Sequence, residues 1–218
     1  MAAARRILVI NPNSNPEVRE GFSQALAPLR LAGGPEIECV TLAEGPFGVE
    51  TQAHVEQVTL PLRGLILARP DAGAYVIACY SDPGLQLCRE ATTKPVFGIQ
   101  ESGMLAALSR GDRVGVIALG PASVARHLRY LRQLGLTERL AGERPLNLSV
   151  AESERPEAFD RLAEVGRELR DIDGADVLVL GCAGMARHRQ RLEAALGLPV
   201  VDPTQAATAD ALAAVLLG

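Results

Sequence analysis

The chain has 218 residues, of which 48% are hydrophobic and 22% are charged, which is enough for one large domain or two small ones. Its 22 basic and 26 acidic residues give a formal net charge of −4, and the basic residues form no cluster. A nucleic-acid or anionic-membrane partner is therefore not expected, because both require concentrated positive charge.

The first apolar run is short. It covers residues 7–10, follows two arginines and ends at once in Asn11-Pro12. A signal-peptide core or a membrane span needs a longer run, so we interpret this segment as a first β-strand. The four cysteines include no CxxC pair and do not form a disulfide framework. We therefore expect a cytoplasmic protein.

Apolar runs alternate with longer amphipathic stretches along the rest of the chain. We predict strands at residues 6–10, 37–42, 74–79, 95–99, 113–118, 145–150, 176–181 and 199–201. We predict helices at residues 16–30, 51–69, 83–92, 102–109, 122–134, 156–172, 186–196 and 205–216. Such alternation is typical of parallel sheets covered by helices on both faces.

The order of these elements repeats after roughly half the chain. The run ILVINP at 7–12 corresponds to VGVIALGP at 114–121, and GAYVIAC at 73–79 corresponds to GADVLVLGC at 174–182. We therefore predict an α/β protein of two similar Rossmann-like or flavodoxin-like halves with four-stranded parallel sheets, related by a pseudo-twofold axis. The halves are expected at residues 1–100 and 101–204, with the helix at 205–218 packing back on the first half.

Two cysteines, Cys79 and Cys182, end corresponding strands of the two halves. Ligands of open α/β sheets bind at the carboxyl ends of the strands, so both thiols are predicted to lie in one cleft. A helix start lowers a thiol pKa, and Asp82 followed by Pro83 is typical of one. Both thiols are thus predicted to have a low pKa. The alternative is that each cysteine is a small buried hydrophobic residue.

Polar residues crowd the turn after the first strand. Asn11, Asn13, Ser14 and Asn15 can offer amides and a hydroxyl to a carbonyl or carboxylate of a ligand, or can simply cap the following helix. The later loop EGPFGVETQAH at 44–54 either covers the cleft, with Phe47 as an apolar wall, or is a plain connection.

Other chemistries lack their motifs. No GxGxxG follows a strand and no GxxxxGK[ST] occurs, so a nucleotide cofactor is not expected. His54, His127 and His188 are far apart and have no metal-ligand spacing, so we predict no metal site. A GxSxG nucleophile elbow is also missing.

Three segments together resemble a known family. INPNSN at 10–15, CYSDPGL at 79–85 and VLGCAGM at 179–185 are similar to the aspartate/glutamate/hydantoin racemase superfamily, and most to its hydantoin racemase branch, which includes allantoin racemase. The resemblance implies an active site between two α/β halves and cofactor-independent racemisation by Cys79 and Cys182. It further implies substrate contacts from the turns that contain these residues: Asn11, Tyr80, Ser81, Ala183 and Gly184.

These observations predict a racemase that inverts the C5 stereocentre of a 5-substituted hydantoin or an allantoin-like compound. One thiolate would remove the proton and the opposite thiol would return one. Two alternatives stay open. One is a maleate-type cis-trans isomerase or another enolate-forming member of the superfamily, and the other is a non-catalytic protein that binds a small molecule. We expect a homo-oligomer that uses no metal or cofactor and whose partner is its small-molecule substrate.

Overall fold

Two parallel sheets form the centre of the protein in a computed structural model that describes residues 6–218. The first sheet contains β1 Arg6–Asn11, β2 Glu36–Thr41, β3 Ala72–Ile77 and β4 Val96–Gly98, in the order β2-β1-β3-β4. The second contains β5 Val114–Ala118, β6 Leu140–Pro145, β7 Val177–Leu180 and β8 Val200–Val201, in the order β6-β5-β7-β8. The neighbouring strands pair in parallel. The predicted fold class is confirmed.

Helices connect the strands and cover the sheets. They are α1 Pro16–Ala25, α2 Gln52–Ala68, α3 Leu85–Ala91, α4 Ile99–Leu108, α5 Pro121–Leu134, α6 Val150–Ser153, α7 Phe159–Asp171, α8 Arg189–Leu196 and α9 Pro203–Leu217. Short 3-10 helices occupy Ala27–Leu29, Thr137–Arg139, Pro156–Ala158 and Ala183–His188. Among the helices of residues 6–218, none combines the length and the apolar character that a membrane crossing requires.

The central strand β1 shows why its sequence is an unbroken apolar run. Residues 7–10 are fully buried because helices cover both faces of the sheet. Leu8 and Ile10 pack on one face, in a cluster with the buried side of α2. Ile7 and Val9 point the other way, into a core that also contains the strands of the second sheet. The two halves therefore share one continuous hydrophobic core.

The sixth strand lies earlier in the chain than predicted. The sequence suggested residues 145–150, whereas β6 spans Leu140–Pro145 and α6 follows within a few residues. Ser149 and Glu152 form a capping box, in which each side chain accepts the backbone N–H of the other and the helix start is satisfied. The strand itself lies at the sheet edge and is only half-buried, so its sequence has no apolar run.

Asp82 does not cap α3, contrary to the prediction from Asp82-Pro83. The helix begins only after Gly84, whose φ of +64° is left-handed. Asp82 itself has a φ of +42°, and its carboxylate accepts the backbone N–H groups of Gln100 and Glu101 at 2.9 and 3.0 Å. It therefore joins the turn after β3 to the first turn of α4.

The helix α9 follows the second sheet in sequence but lies against the first sheet in space. It contacts β1, β3 and β4 and runs beside α4. Asp202 caps its start through the N–H of Thr204 at 2.8 Å, and the Gln205 amide donates to the carbonyl of Ala25 at 2.6 Å. The chain thus crosses between the halves twice.

Candidate active site

A pocket lies where the carboxyl ends of β1, β3, β5 and β7 meet, with about 370 Å³ of empty space that includes space open to solvent. Both halves of the chain contribute to it, as parallel sheets with facing carboxyl ends require. It is lined by Asn13, Val18, Val49, Ala78, Cys79, Tyr80, Ser81, Leu119, Ser123, Arg126, His127, Val150, Gly181, Cys182 and Ala183.

Cys79 lies in the tight turn that follows β3. Its N–H donates to the carbonyl of Ile77 at 3.0 Å, and its own carbonyl accepts the N–H of Asp82 at 2.9 Å. The residue keeps some access to the pocket, yet protein atoms surround the thiol closely. This burial raises the pKa of Cys79 to about 11, and the Asp82 charge adds to the effect, whereas the Ser81 N–H and Arg126 oppose it.

Cys182 follows β7 and begins the 3-10 helix Ala183–His188. The preceding Gly181 is required by close approach, because a Cβ there would lie 2.4 Å from the carbonyl oxygen of Ile117. The N–H of Gly184 donates to the Cys182 sulfur at 3.4 Å. Burial nevertheless raises the pKa of Cys182 to about 12.

The low thiol pKa values predicted from sequence are therefore wrong in direction. Backbone N–H groups do favour each thiolate, but the loss of hydration on burial exceeds their effect. The charge of a Cys79 thiolate also raises the pKa of Cys182. Both thiols are therefore neutral near neutral pH, and when Cys79 loses its proton the resulting charge keeps Cys182 protonated, which gives one base and one acid.

A buried carboxyl group, Glu154, lies near Cys182. Only 4% of the residue is exposed, and its one ion pair in the described chain is with the Arg187 guanidinium at 3.2 Å. Burial raises the pKa of Glu154 to about 7, Arg187 opposes this, and Glu17 adds to it. The charge of Glu154 in turn raises the pKa of Cys182. Protonation of Glu154 and of the thiol are thus coupled.

The polar residues in the turn after β1 have different structural roles. Asn11 is fully buried, and its amide donates to the side chain of Asn13 at 2.9 Å and to the carbonyl of Asn15 at 3.0 Å. Asn15 caps α1, as one of the predictions stated. Asn13 is the member of the turn that lines the pocket, and Asn11 holds it there. Ser14 instead ties the turn to the next loop, through its N–H and the carbonyl of Pro46 at 2.9 Å.

The structure gathers part of the predicted site. The predicted residues that line the pocket are Cys79, Tyr80, Ser81, Cys182 and Ala183, and those that lie outside its lining are Asn11, Ser14 and Gly184. The loop at 44–54 does reach the pocket, but through Val49, since Phe47 is 62% exposed to solvent. Glu50 closes this loop onto the second half by accepting the N–H of Val150 at 2.9 Å.

Sequence reasoning missed a polar face of α5. Ser123, Arg126 and His127 are spaced i, i+3 and i+4, so they share one side of the helix, and all three line the pocket. The signal was present as three polar residues in the first turns after β5. The spacing of His54, His127 and His188, which excludes a shared metal site, gives no information on whether His127 lines a pocket.

His127 is held from behind by a buried carboxylate. Its Nδ1 is in hydrogen-bond contact with Glu143 of β6, and both side chains are 2% exposed. The ring of Tyr80 meets it edge-on, with centroids 4.9 Å apart. Across residues 6–218, no group of three or more His, Cys, Asp or Glu side chains is arranged to hold a metal ion.

The two α/β halves each supply a thiol to one small pocket at their junction, an arrangement that suits an enzyme. The sequence profile of the Asp/Glu/Hydantoin racemase family matches residues 7–211. The chain therefore belongs to the Asp/Glu/hydantoin racemase family and is a racemase. The resemblance noted in the sequence is confirmed.

The chain matches related proteins over most of its own length and most of theirs. The chain is 36% identical to a hydantoin racemase of Paenarthrobacter aurescens over 221 residues, covering 98% of this chain and 92% of the relative. It is 33% identical to a hydantoin racemase of Pseudomonas sp. (strain NS671), covering 90% and 80%. The solved allantoin racemase of Klebsiella pneumoniae superposes with a TM-score of 0.92 at 30% identity, covering 98% of this chain and 89% of that one. A glutamate racemase of Francisella tularensis, with a TM-score of 0.73, 18% identity and coverage of 99% and 82%, shares the fold.

Proposed function

We propose that this racemase inverts the C5 stereocentre of a 5-substituted hydantoin or an allantoin-like compound, by proton transfer between Cys79 and Cys182 without a cofactor. The observation that carries the proposal is the placement of the two thiols. They follow corresponding strands, β3 and β7, of opposite halves and line the same pocket. Relatives with hydantoin racemase and allantoin racemase activity support the substrate class.

Inversion requires that a proton leave one face of C5 and that another arrive on the opposite face. One cysteine thiolate takes the C5 proton, and the electron pair of the C–H bond moves into the adjacent ring carbonyl as an enolate. The opposite thiol then donates its proton to C5 as the carbonyl re-forms. The enzyme finishes with thiol and thiolate exchanged, ready for the other enantiomer.

The raised thiol pKa values suit a carbon acid. A thiolate whose conjugate acid has a pKa of about 11 or 12 is rare near neutral pH, but it is a stronger base than an ordinary cysteine with a pKa of about 8.5. The developing enolate oxygen needs hydrogen-bond donors already in place. We assign this role to the backbone N–H of Ala183, in the turn after Cys182 at the pocket wall, because the N–H of Ser81 already serves the Cys79 thiol.

The alternatives fit less well. The relatives are enzymes, so the non-catalytic binding protein is set aside. A maleate-type isomerase must hold two carboxylates, whereas Arg126 is the one arginine among the residues that line the described pocket, and lysine does not occur there. A five-membered ring with two carbonyl groups and no net charge needs fewer cations.

Proton NMR in D2O on enantiopure 5-substituted hydantoins, allantoin and aspartate tests the proposal, with maleate followed for isomerisation. We expect the wild type to exchange the C5 proton of hydantoins and to abolish their optical rotation, and the Cys79→Ser and Cys182→Ser variants to lose racemisation. Cys39→Ser is the matched control, because Cys39 lies in β2 and outside the pocket lining. Full racemase rates in both pocket variants would refute the mechanism. Turnover of maleate without exchange in any hydantoin would replace the function.

A further inference from the structure

The polar face of α5 differs in character from the rest of the pocket. Ser123, Arg126 and His127 lie on this face, and Ser81 reaches the same arginine from the first half. The apolar part of the lining comes from other elements and includes Val18, Val49, Ala78, Leu119, Val150 and Ala183. The pocket is therefore polar on the side of α5, and one end of a bound ligand contacts that side.

Arg126 is buried to 8% exposure, and within residues 6–218 no acidic side chain is in hydrogen-bond contact with it. In the part of the chain that the structure describes, its guanidinium donates only to uncharged oxygens. These are the carbonyls of Ala122 and Glu50, both at 3.1 Å, and the hydroxyls of Ser123 at 3.2 Å and Ser81 at 3.5 Å. A cation that is taken out of water without an anion is costly, so such a group is kept where a ligand supplies the missing acceptor. Burial lowers the pKa of Arg126, because the loss of hydration disfavours the charged guanidinium.

His127 extends the same surface. Glu143 engages its Nδ1, which fixes the ring and leaves Nε2 as the ring nitrogen that a ligand in the pocket can approach. Glu143 is directed at His127 rather than at Arg126, so it does not form an ion pair with the arginine. The α5 face thus combines a strong donor with a fixed imidazole.

We propose that Arg126, supported by His127, is the specificity residue of this racemase and selects substrates whose C5 substituent ends in a carbonyl or carboxylate oxygen. This inference rests on the proposed function, which supplies the C5 stereocentre. A ureido group and a carboxymethyl group both offer such an oxygen, whereas a hydrocarbon substituent leaves the buried guanidinium without it. The enzyme accordingly prefers polar substituents to alkyl substituents of equal size.

Three hydantoins with C5 substituents of equal size test whether Arg126 selects the substituent. Allantoin carries a ureido group, hydantoin-5-acetate a carboxymethyl group and 5-isobutylhydantoin a branched alkyl group, each with the same number of non-hydrogen atoms in the substituent. C5 exchange rates are measured for the wild type and for Arg126→Met, which keeps an unbranched side chain. We expect the ratio of kcat/KM for allantoin to that for 5-isobutylhydantoin to fall by roughly 10- to 150-fold, the range for a hydrogen bond to a charged group. The first two substrates distinguish a neutral carbonyl from a carboxylate as the preferred acceptor.

A purely structural role for Arg126 makes a different prediction. The guanidinium also bridges the two halves, since it reaches Glu50 of the first half. Arg129 is the matched control, because it bridges to Gln52 at 2.9 Å from the next turn of α5 but does not line the pocket. We expect Arg129→Gln to leave the substrate ratio unchanged. The proposal is overturned if the ratio of kcat/KM for allantoin to that for 5-isobutylhydantoin is the same in Arg126→Met as in the wild type. If kcat/KM falls equally for all three substrates, Arg126 acts on the hydantoin ring, on Cys79 or on the fold.

Ligand-induced shifts in Tm separate this inference from the proposed function. Allantoin and hydantoin-5-acetate are expected to stabilise the wild type more than they stabilise Arg126→Met, whereas 5-isobutylhydantoin stabilises the two alike. If no compound exchanges its C5 proton but this difference in Tm is seen, the proposed function fails and the recognition role stands. If the shifts do not depend on Arg126, the recognition role fails.

Discussion

Replacing Glu154 with glutamine is expected to stabilise the protein at neutral and alkaline pH. The carboxyl group is 4% exposed, and burial raises its pKa to about 7 from an ordinary value of 4.5. A folded-state pKa above the unfolded value means that the free energy of unfolding is highest at acid pH. That free energy then falls as the pH rises from about 4.5 to about 7, where the folded carboxyl group finally ionises. Glutamine has nearly the same shape and no charge, so it escapes this loss.

The size of the effect follows from the two pKa values. At pH 8 the unfolded chain gains the full benefit of ionising Glu154, whereas the folded chain gains only a small part of it. The linkage relation gives a destabilisation of about 3 kcal/mol at pH 8 and about 1 kcal/mol at pH 5. The Glu154→Gln variant should therefore exceed the wild type by about these amounts, which for a chain of this size is roughly 6–12 °C in Tm at pH 8.

Urea unfolding followed by far-UV circular dichroism measures this difference, since the chain contains no tryptophan. Other groups that titrate are common to both proteins and cancel. Glu152→Gln is the matched control, because the exposed Glu152 accepts two hydrogen bonds from Ser149 that lower its pKa from an ordinary value of 4.5. Its stabilising charge is kept at every pH above about 4.5, so its loss should weaken the protein by nearly the same amount at pH 8 and at pH 5. The same difference for Glu154→Gln at both pH values would refute the reasoning, as would a less stable variant at pH 8.

Four further results are expected. The C5 exchange rate should rise between about pH 7 and pH 10, since the thiolate fraction grows about tenfold per pH unit below thiol pKa values of about 11 and 12, and a flat profile would contradict the assigned bases. Gly181→Ala should cost about 1–3 kcal/mol in urea unfolding because its Cβ would overlap the Ile117 carbonyl, and an unchanged midpoint would show that β5 and β7 yield there. Asn11→Ala should lower kcat/KM because Asn13 loses its anchor, whereas an effect on stability alone would confine Asn11 to the fold. The predicted homo-oligomer should sediment as a dimer or larger species, and a monomer at assay concentrations would disprove it.

The sheets were predictable because buried parallel strands leave a strong pattern. The strands that become β1, β3, β5 and β7 are apolar runs, and their order repeats in the sequence, so the architecture and the two cysteine positions could be derived together. The edge strand β6 was misplaced because one of its sides faces solvent and its composition is polar. The segment that follows β6, at residues 146–150, has alternating apolar residues and therefore resembles a strand more than β6 itself does.

The chemistry of the site was harder to predict than its position. The burial that raises the pKa of both thiols comes from packing between the halves, which local sequence does not reveal, whereas the helix starts that suggested a low pKa are local. Asp82-Pro83 has the local pattern of a helix start, whereas the groups that Asp82 binds, at the start of α4, are distant in sequence. Arg126 and His127 were missed for a similar reason, since the side of α5 that faces the pocket is fixed by tertiary contacts.

The position of α9 has a consequence for how the chain acquires its structure during synthesis. One face of the first sheet is covered by a helix, Pro203–Leu217, that the ribosome makes only after the whole second half. The nascent first half therefore emerges with an apolar surface exposed and cannot complete its own packing by folding early. It must wait for the second half, so the two halves are expected to mature as one cooperative unit, and chaperone binding should concentrate on that uncovered face.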